Sequence, residues 1–496
     1  MNIALILQMA ADTAPDRTAV VCDGRRWSYG ALYEAAKGAA DLFVANGCEY
    51  VALLDESSEA APIALFGAAL AGIPYVPLNY RLADTDLGAL LDRVSPAYVI
   101  GDVERSQRLS KGHHCNTREG FVRAAEAAAA NAAGEEREGE GIAAQIFTSG
   151  TTAAPKAALL RHSNLLGYIL GTVEFMSAEE EEGQLVCVPP YHIAGISTLL
   201  SNFYAMRRIV LLPAFEPQTW LDLAESEQVT NAFLVPTMLA RVISRMDDIG
   251  KADLASIKAI AYGGGRMPPE LIERALQLFP QTNFTNAYGL TETSSTVALL
   301  GPDDHRTAFA SDDPKVRARL GSVGKPLPTV ELEIRDDDGK LLPAGESGEI
   351  YVRGEQVSGE YRGRSALDQD GWFPTRDAGY LDEEGFLFLS GRADDVIVRG
   401  GENISPGEIE DVLASHPAIS DSAAVGVPSV EWGEAVGVAI ALHGGHDQPS
   451  ETDLKQLIKD RLRSSRVPEK IVFVDQLPYN EMGKLLRREV RLLFAN

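Results

Sequence analysis

The run TSGTTAAPK at 148–156 constrains this chain more than any other stretch. Small residues let backbone N–H groups converge on phosphate oxygens, and hydroxyls with one lysine add further donors. Thr148, Ser149, Gly150, Thr151, Thr152 and Lys156 supply that set. Residues 142–147 before it are short and apolar, as a buried strand is, and Ser163 is placed to cap a helix over 164–171. The expected context is strand, loop, helix. No Gly stands directly before Lys156 and no Ser or Thr directly after it, so the loop is not of the Walker A kind.

Upstream, the hydrophobic period alternates. Residues 31–45 have amphipathic helical spacing, whereas 51–54 and 75–78 read as short strands, which predicts an α/β fold with mostly parallel strands. Residues 60–78 carry no charge, yet Pro62, Gly67, Gly72, Pro74 and Pro77 interrupt them. A buried helix followed by a strand is expected there, not a membrane span. Residues 124–140, rich in Ala, Gly and Glu, read as a solvated connection. Across 323–389 the runs VELEI, GEIYV and GFLFL are separated by DDDG, PAGESG and DEEG turns, the pattern of a small antiparallel sheet or barrel. Beyond Gly391, helix and strand patterns alternate again.

The net charge of −26 over 496 residues argues against nucleic acid or an anionic membrane as the main partner. Anionic ligands must be met by local clusters of Lys, Arg and N–H groups. Cys22, Cys48, Cys115 and Cys187 show no close pairing, and no signal-peptide pattern opens the sequence, so a reduced, cytoplasmic setting is expected.

After the loop come PPYHIAG (189–195), VPTML (235–239), YGGGRMP (262–268), NAYGLTET (286–293), WFPTRD (372–377), GRADDVIVRGGENISPGEIE (391–410) and NEMGKLLRRE (480–489). In this order they resemble the adenylate-forming superfamily of acyl-CoA synthetases, carrier-loading adenylation domains and luciferases, in its acyl-CoA synthetase branch. The resemblance implies an N-terminal AMP-binding domain over 1–391, made of two α/β subdomains plus a small β-barrel. A smaller, mobile α+β domain over 392–496 would follow, with its hinge near Asp394. The implied reaction activates a carboxylic acid with ATP and Mg²⁺ to an acyl-adenylate, from which a thiol, that of CoA, displaces AMP.

The same resemblance assigns roles. Lys484 would meet the charge developing on phosphorus, and Glu292, with Thr151, would hold Mg²⁺ through hard oxygen ligands. AMP would be bound by Gly264, Asn286, Ala287, Tyr288, Gly289, Thr291, Asp377 and Arg392, with Tyr288 stacked on adenine and Asp377 on the ribose hydroxyls. His192, Tyr262, Gly263 and Gly264 would line the acyl pocket. Arg399, Gly400, Gly401 and Glu402 would form a strand edge along which pantetheine lies, with Arg81, Arg463 and Arg466 as candidates for the CoA phosphate.

Several positions depart from the family pattern. Ala153 and Ala157 stand where the loop usually has Gly, Arg161 replaces a small hydroxyl residue, and Arg376 replaces the Gly before the ribose aspartate. A Cβ at a position with φ above zero costs about 1 kcal/mol or more. Crowding by Ala153 and Ala157, and a charge at Arg376 that pairs with Asp377 or fills nucleotide space, would leave adenylation weak or lost while thioesterification stays intact. That pattern resembles specialised ligases of natural-product pathways, such as platensimycin biosynthesis, which accept a preformed acyl-adenylate from a separate adenylating enzyme; retention of Lys484 argues for the complete reaction. A carrier-protein-loading enzyme and a non-catalytic nucleotide-binding protein are the alternatives.

Overall fold

The computed structural model describes residues 1–109, 111–130, 132, 137–148, 155–249, 254–336, 338–392, 395, 397–399, 402–429, 432–479 and 485–495. Two large sheets dominate the first part of the chain. An eight-stranded sheet holds Tyr50–Leu54, Tyr75–Pro77, Ala97–Gly101, His114–Asn116 and Ile142–Thr148 in parallel, with Lys156–Arg161 antiparallel beside the last. A nine-stranded sheet joins Thr18–Cys22, Arg208–Leu211, Gly183–Val186, Asn231–Leu234, Ala259–Gly263 and Asn283–Leu290 in parallel, then turns antiparallel at Ser295–Leu300.

Successive side chains of a strand point to opposite faces, and here each face meets its own core. Val20 belongs to the layer between the sheets, whereas Val21 belongs to the outer layer of the nine-stranded sheet. Val51 and Leu53 likewise face the central layer, and Ala52 and Leu54 face the outer side of the eight-stranded sheet. The central layer is filled by helices, among them Tyr29–Ala45, Ala60–Ala71 and Ile193–Tyr204. Every residue of Ala60–Ala71 is buried. A helix enclosed on all sides has no use for a polar face, which explains the charge-free run.

A four-stranded antiparallel sheet, Glu331–Arg335, Gly348–Arg353, Phe373–Leu381 and Leu387–Arg392, closes over Ile334, Ile350, Val352 and Leu387. The last part of the chain forms a separate sheet from Ile397–Arg399, Glu402–Ile404, Ile419–Ser429, Gly433–Leu442 and Lys470–Phe473. Helices Pro406–Ala414 and Glu451–Arg461 cover it. Arg266 links the two parts, donating to the Gly407 carbonyl at 3.0 Å and ion-pairing with Asp411. Among the described residues no helix is long and apolar enough to cross a membrane.

Two local expectations are corrected. The 124–140 connection is helical up to Ala129, because Phe121, Val122 and Ala125 give helix Arg118–Ala129 a buried face. Helix His162–Thr172 begins earlier than expected, with Arg161 as its N-cap residue and Ser163 inside it. Strand Lys156–Arg161 therefore precedes the helix and pairs antiparallel with Ile142–Thr148, where a strand leading directly to a helix was expected.

The three central helices meet at Phe203, fully buried and edge-on to Tyr29 at 6.0 Å and to Phe66 at 5.4 Å between ring centroids. Phe203→Ala leaves a cavity that this layer cannot close by moving one helix. It should cost about 3–5 kcal/mol, read as an earlier midpoint in urea denaturation.

Candidate active site

The hairpin strands Ile142–Thr148 and Lys156–Arg161 bring Thr148 opposite Lys156 and Phe147 opposite Ala157. Ser149, Gly150, Thr151, Thr152 and Ala153, between them, lie outside the described residues. Ala157 is buried in regular strand, its carbonyl accepts from Arg362 N–H at 3.0 Å, and it is absent from the positive-φ positions. The expected crowding by Ala157 does not arise, because its backbone conformation is one any residue adopts. Arg161 forms a two-point ion pair with Glu360, at 2.7 and 2.9 Å, and donates to the Glu140 carbonyl at 2.9 Å.

Strand Asn283–Leu290 reverses through the 3-10 turn Thr291–Thr293 into Ser295–Leu300. Gly289 is required there: a Cβ would stand 1.7 Å from the Ser295 carbonyl oxygen. Thr293 is fully buried and its hydroxyl accepts from Leu290 N–H at 2.9 Å and donates to Ser295 O at 2.8 Å. Thr291 opens the turn and Glu292 follows, 9% exposed.

The turn is gripped by a segment that sequence reasoning missed. Gln356 Nε2 donates to the carbonyls of Thr293 and Thr296 at 3.0 and 2.7 Å, and the N–H groups of Ser358 and Gly359 donate to Glu292 O at 2.8 and 3.1 Å. The Tyr361 hydroxyl then donates to Glu292 Oε1 at 2.6 Å, and Lys156 Nζ lies 6.0 Å from the Tyr361 ring centroid. Most of these bonds use backbone atoms, which leave no residue-type signature; only the polar Gln356 within an otherwise sheltered stretch was a signal to read.

At the nucleotide end, the Tyr288 hydroxyl donates to Asp377 Oδ2 at 2.6 Å, joining NAYGLTET to WFPTRD as expected of one site. Tyr288 is itself buried, 9% exposed, and packs in the core under the four-stranded sheet. Asn286 is buried and donates to Ser322 O at 3.0 Å. Ala287 pairs with Gly263 across parallel strands, and exposed Gly264 follows with φ +76°. The backbone of Arg392 pairs with Asp377.

Arg376 does not pair with Asp377. It sits on a bulge of its strand with φ +63°, its N–H donates to Glu349 Oε1 at 3.2 Å, and its guanidinium approaches the same oxygen at 3.8 Å. The side chain is 63% exposed and so occupies no enclosed nucleotide space.

His192 is the N-cap residue of helix Ile193–Tyr204, its ring 4.5 Å from that of Tyr191. Tyr191 meets Tyr80 edge-on at 5.6 Å, and Arg81 lies 5.3 Å from the Tyr80 ring, so Arg81 and His192 belong to one side-chain cluster. Tyr262, expected in the acyl pocket, has its side chain fully enclosed, with its hydroxyl 2.9 Å from His305 Nε2. That ring serves the core, Gly263 is buried against the Ala287 carbonyl, and Gly264 and Gly265 are exposed.

On the last sheet, Arg399 and Glu402 pair across a hairpin, and Ile397–Arg399 has neighbours on both sides, so the free edge is Glu402–Ile404. The Arg399 guanidinium donates to Ser465 O and Glu469 Oε1, both at 2.8 Å, and Arg466 donates to Glu408 Oε1 at 3.2 Å. Arg466, a candidate for the CoA phosphate, thus binds its own domain, as does Arg399 of the expected pantetheine edge; Arg463 is exposed. Asp394, Gly400, Gly401 and Lys484 lie outside the described residues.

Because a left-handed non-glycine residue costs about 1–2 kcal/mol, Arg376→Gly should raise stability by up to about 1 kcal/mol after the added unfolded-chain entropy, measured by urea denaturation. Burial pushes both His162 and His192 down to about 4, and His162 Nδ1 accepts from Ile3 N–H at 3.3 Å, a bond that needs neutral imidazole. Between about pH 4 and 6.5 the unfolded chain binds protons there that the folded chain does not, so stability should rise with pH across that window. His162→Gln should flatten the rise in pH-dependent denaturation.

A profile described as AMP-binding enzyme matches residues 7–362, and one described as AMP-binding enzyme C-terminal domain matches 408–484. A fatty acid–[acyl-carrier-protein] ligase of Streptomyces coeruleorubidus is 31% identical over 97% of this chain and 94% of that protein. A 2-succinylbenzoate–CoA ligase of Bacillus cereus is 30% identical over 98% of both. The structure of O-succinylbenzoate coenzyme A synthetase from Bacillus subtilis in complex with ATP and magnesium ion superposes with a TM-score of 0.82, at 29% identity and 98% coverage of each chain. The chain belongs to the AMP-binding enzyme family and, within it, to the acid–thiol ligases of the acyl-CoA synthetase type.

Proposed function

We propose that this protein joins a carboxylic acid to the thiol of CoA in two steps through an acyl-adenylate. The acid attacks the α-phosphorus of ATP and releases pyrophosphate; the thiol then attacks the acyl carbon and releases AMP. The observation that carries the reading is the convergence of two pairs, Tyr288 with Asp377 and Tyr361 with Glu292, on the hairpin turn beside Lys156. Asp377 has the chemistry to accept from ribose hydroxyls. Glu292 offers a hard oxygen ligand, and among the described residues no group of three acidic, His or Cys side chains gathers to hold a metal. A Mg²⁺ ion here would therefore rest on one protein carboxylate, water and phosphate oxygens, as Mg²⁺ commonly does. When bound, it offsets the charge on the phosphates.

Lys484, Thr151 and the loop amides complete the phosphate side in this reading, and Arg392, Gly264 and Thr291 the nucleotide side. The domain after residue 391 would turn about Asp394, and the Gly400–Gly401 backbone would admit pantetheine. A separate reading, that adenylation is weak or lost and a partner enzyme supplies the acyl-adenylate as in platensimycin-type pathways, now rests on Ala153 alone, since Ala157 is unstrained and Arg376 faces Glu349. A carrier-protein thiol as acceptor finds support in the Streptomyces relative.

Acid-dependent ATP–pyrophosphate exchange across a panel of acids, run beside thioester formation from the matching acyl-adenylates and CoA, decides between these. Exchange is expected, and Glu292→Gln should reduce it about 100-fold, the scale of removing one electrostatic contact from a transition state, with thioesterification of supplied adenylate changed far less. Thioester formation without exchange would favour the ligase served by a partner.

A further inference from the structure

We propose that Tyr361 is a positioning residue for adenylation, holding the Glu292 carboxylate and the Lys156 ammonium at a fixed spacing around the triphosphate. The proposal rests on the reading of Glu292 as the magnesium ligand and adds a residue to it. The Tyr361 hydroxyl reaches Glu292 Oε1 at 2.6 Å, a short charge-assisted bond that fixes one carboxylate oxygen and leaves the other for a ligand. Lys156 Nζ lies 6.0 Å from the centroid of the same ring, within reach of a cation–π attraction.

The register explains why these three groups meet. Tyr361 belongs to the two-residue strand Glu360–Tyr361, which pairs with Lys156–Arg161 so that Tyr361 stands opposite Ala158 and Glu360 opposite Leu159. Lys156 and Ala158 share a face, and Lys156 is thus a diagonal neighbour of Tyr361, a spacing that aromatic and long side chains bridge. So short a strand is weakly held by its ladder alone. The Arg161–Glu360 pair, one residue from Tyr361, locks it, and the Ser358 hydroxyl adds a bond to Leu159 O. The Arg161 substitution thereby gains a purpose: it fastens the strand that carries the tyrosine.

The test uses the full chain, with Mn²⁺ as a spectroscopic stand-in for Mg²⁺ and α,β-methylene-ATP as nucleotide. Electron paramagnetic resonance reads Mn²⁺ affinity, and calorimetry reads binding of AMP and of the ATP analogue without divalent ion. Tyr361→Phe should weaken Mn²⁺ about tenfold, the lower end of what loss of a ligand's hydrogen-bond partner does, and leave AMP affinity and the melting temperature unchanged. Tyr361→Leu, which removes the ring as well, should in addition weaken metal-free binding of the ATP analogue severalfold, and should cause no further loss in a Lys156→Gln background. Wild-type Mn²⁺ affinity in Tyr361→Phe overturns the proposal, as does a parallel fall in AMP affinity and melting temperature, which marks a merely structural residue. Glu292→Gln separates the two levels: if it leaves Mn²⁺ affinity intact, the metal assignment itself falls, whereas loss in Glu292→Gln without loss in Tyr361→Phe removes only the tyrosine.

Discussion

Two hydrogen bonds to one carbonyl hold the centre of this molecule together. The N–H groups of Ser358 and Gly359 donate to Glu292 O, and they do so from a segment that leaves the four-stranded sheet at Arg353 and reaches the eight-stranded sheet at Glu360. Glu292 lies on the hairpin Asn283–Leu300 of the nine-stranded sheet. Three sheets, which also share buried layers, therefore meet at these few residues of backbone. Buried amides and carbonyls must be paired, so this junction tolerates little displacement. The side chains carried on it, Glu292, Tyr361 and Lys156, inherit their spacing from it.

Electrostatics then work locally against the overall charge. A chain with a net charge of −26 repels phosphate at long range, yet screening confines that repulsion to about 8–10 Å at physiological salt. Within that distance the fold sets a lysine beside the turn and ties nearby carboxylates to partners of opposite sign or to hydroxyls: Glu360 to Arg161, Glu349 to Arg376, Asp377 to Tyr288, Glu292 to Tyr361. Orientation is the main product of such bonds, since partly exposed pairs contribute at most about 1 kcal/mol each.

The sequence revealed the order of elements and the motifs, because period and residue type are local properties. Residues 31–45, 51–54 and 60–78 were legible for that reason, as was the turn to an antiparallel texture after residue 323. What escaped was long-range. Nothing in 142–171 distinguishes a strand-to-helix turn from a hairpin until the partner of Lys156–Arg161 is known. Tyr262, which the resemblance places in the acyl pocket, proves to be core because His305, 43 residues on, meets its hydroxyl. Gln356 and Tyr361 went unremarked because their importance comes from what they touch across more than 60 residues of chain.

The departures from the family pattern show the same lesson from the energetic side. Judged as isolated letters, an Arg for a small hydroxyl residue and an Arg for a Gly both seem to damage an anion site. In place, Arg161 fastens the Tyr361 strand, and Arg376 accepts a left-handed backbone on a bulge where Thr375 and Glu349 already satisfy the neighbouring amides. The bulge turns Asp377 toward Tyr288 by adding residues to one strand of the ladder, and that geometry does not depend on the residue at 376 being Gly. Strain of this kind is local, costing stability at one position without moving the carboxylate that the site needs. A substitution beside a functional residue is thus read correctly only with the partner that redirects its side chain, and for Arg376 that partner is Glu349.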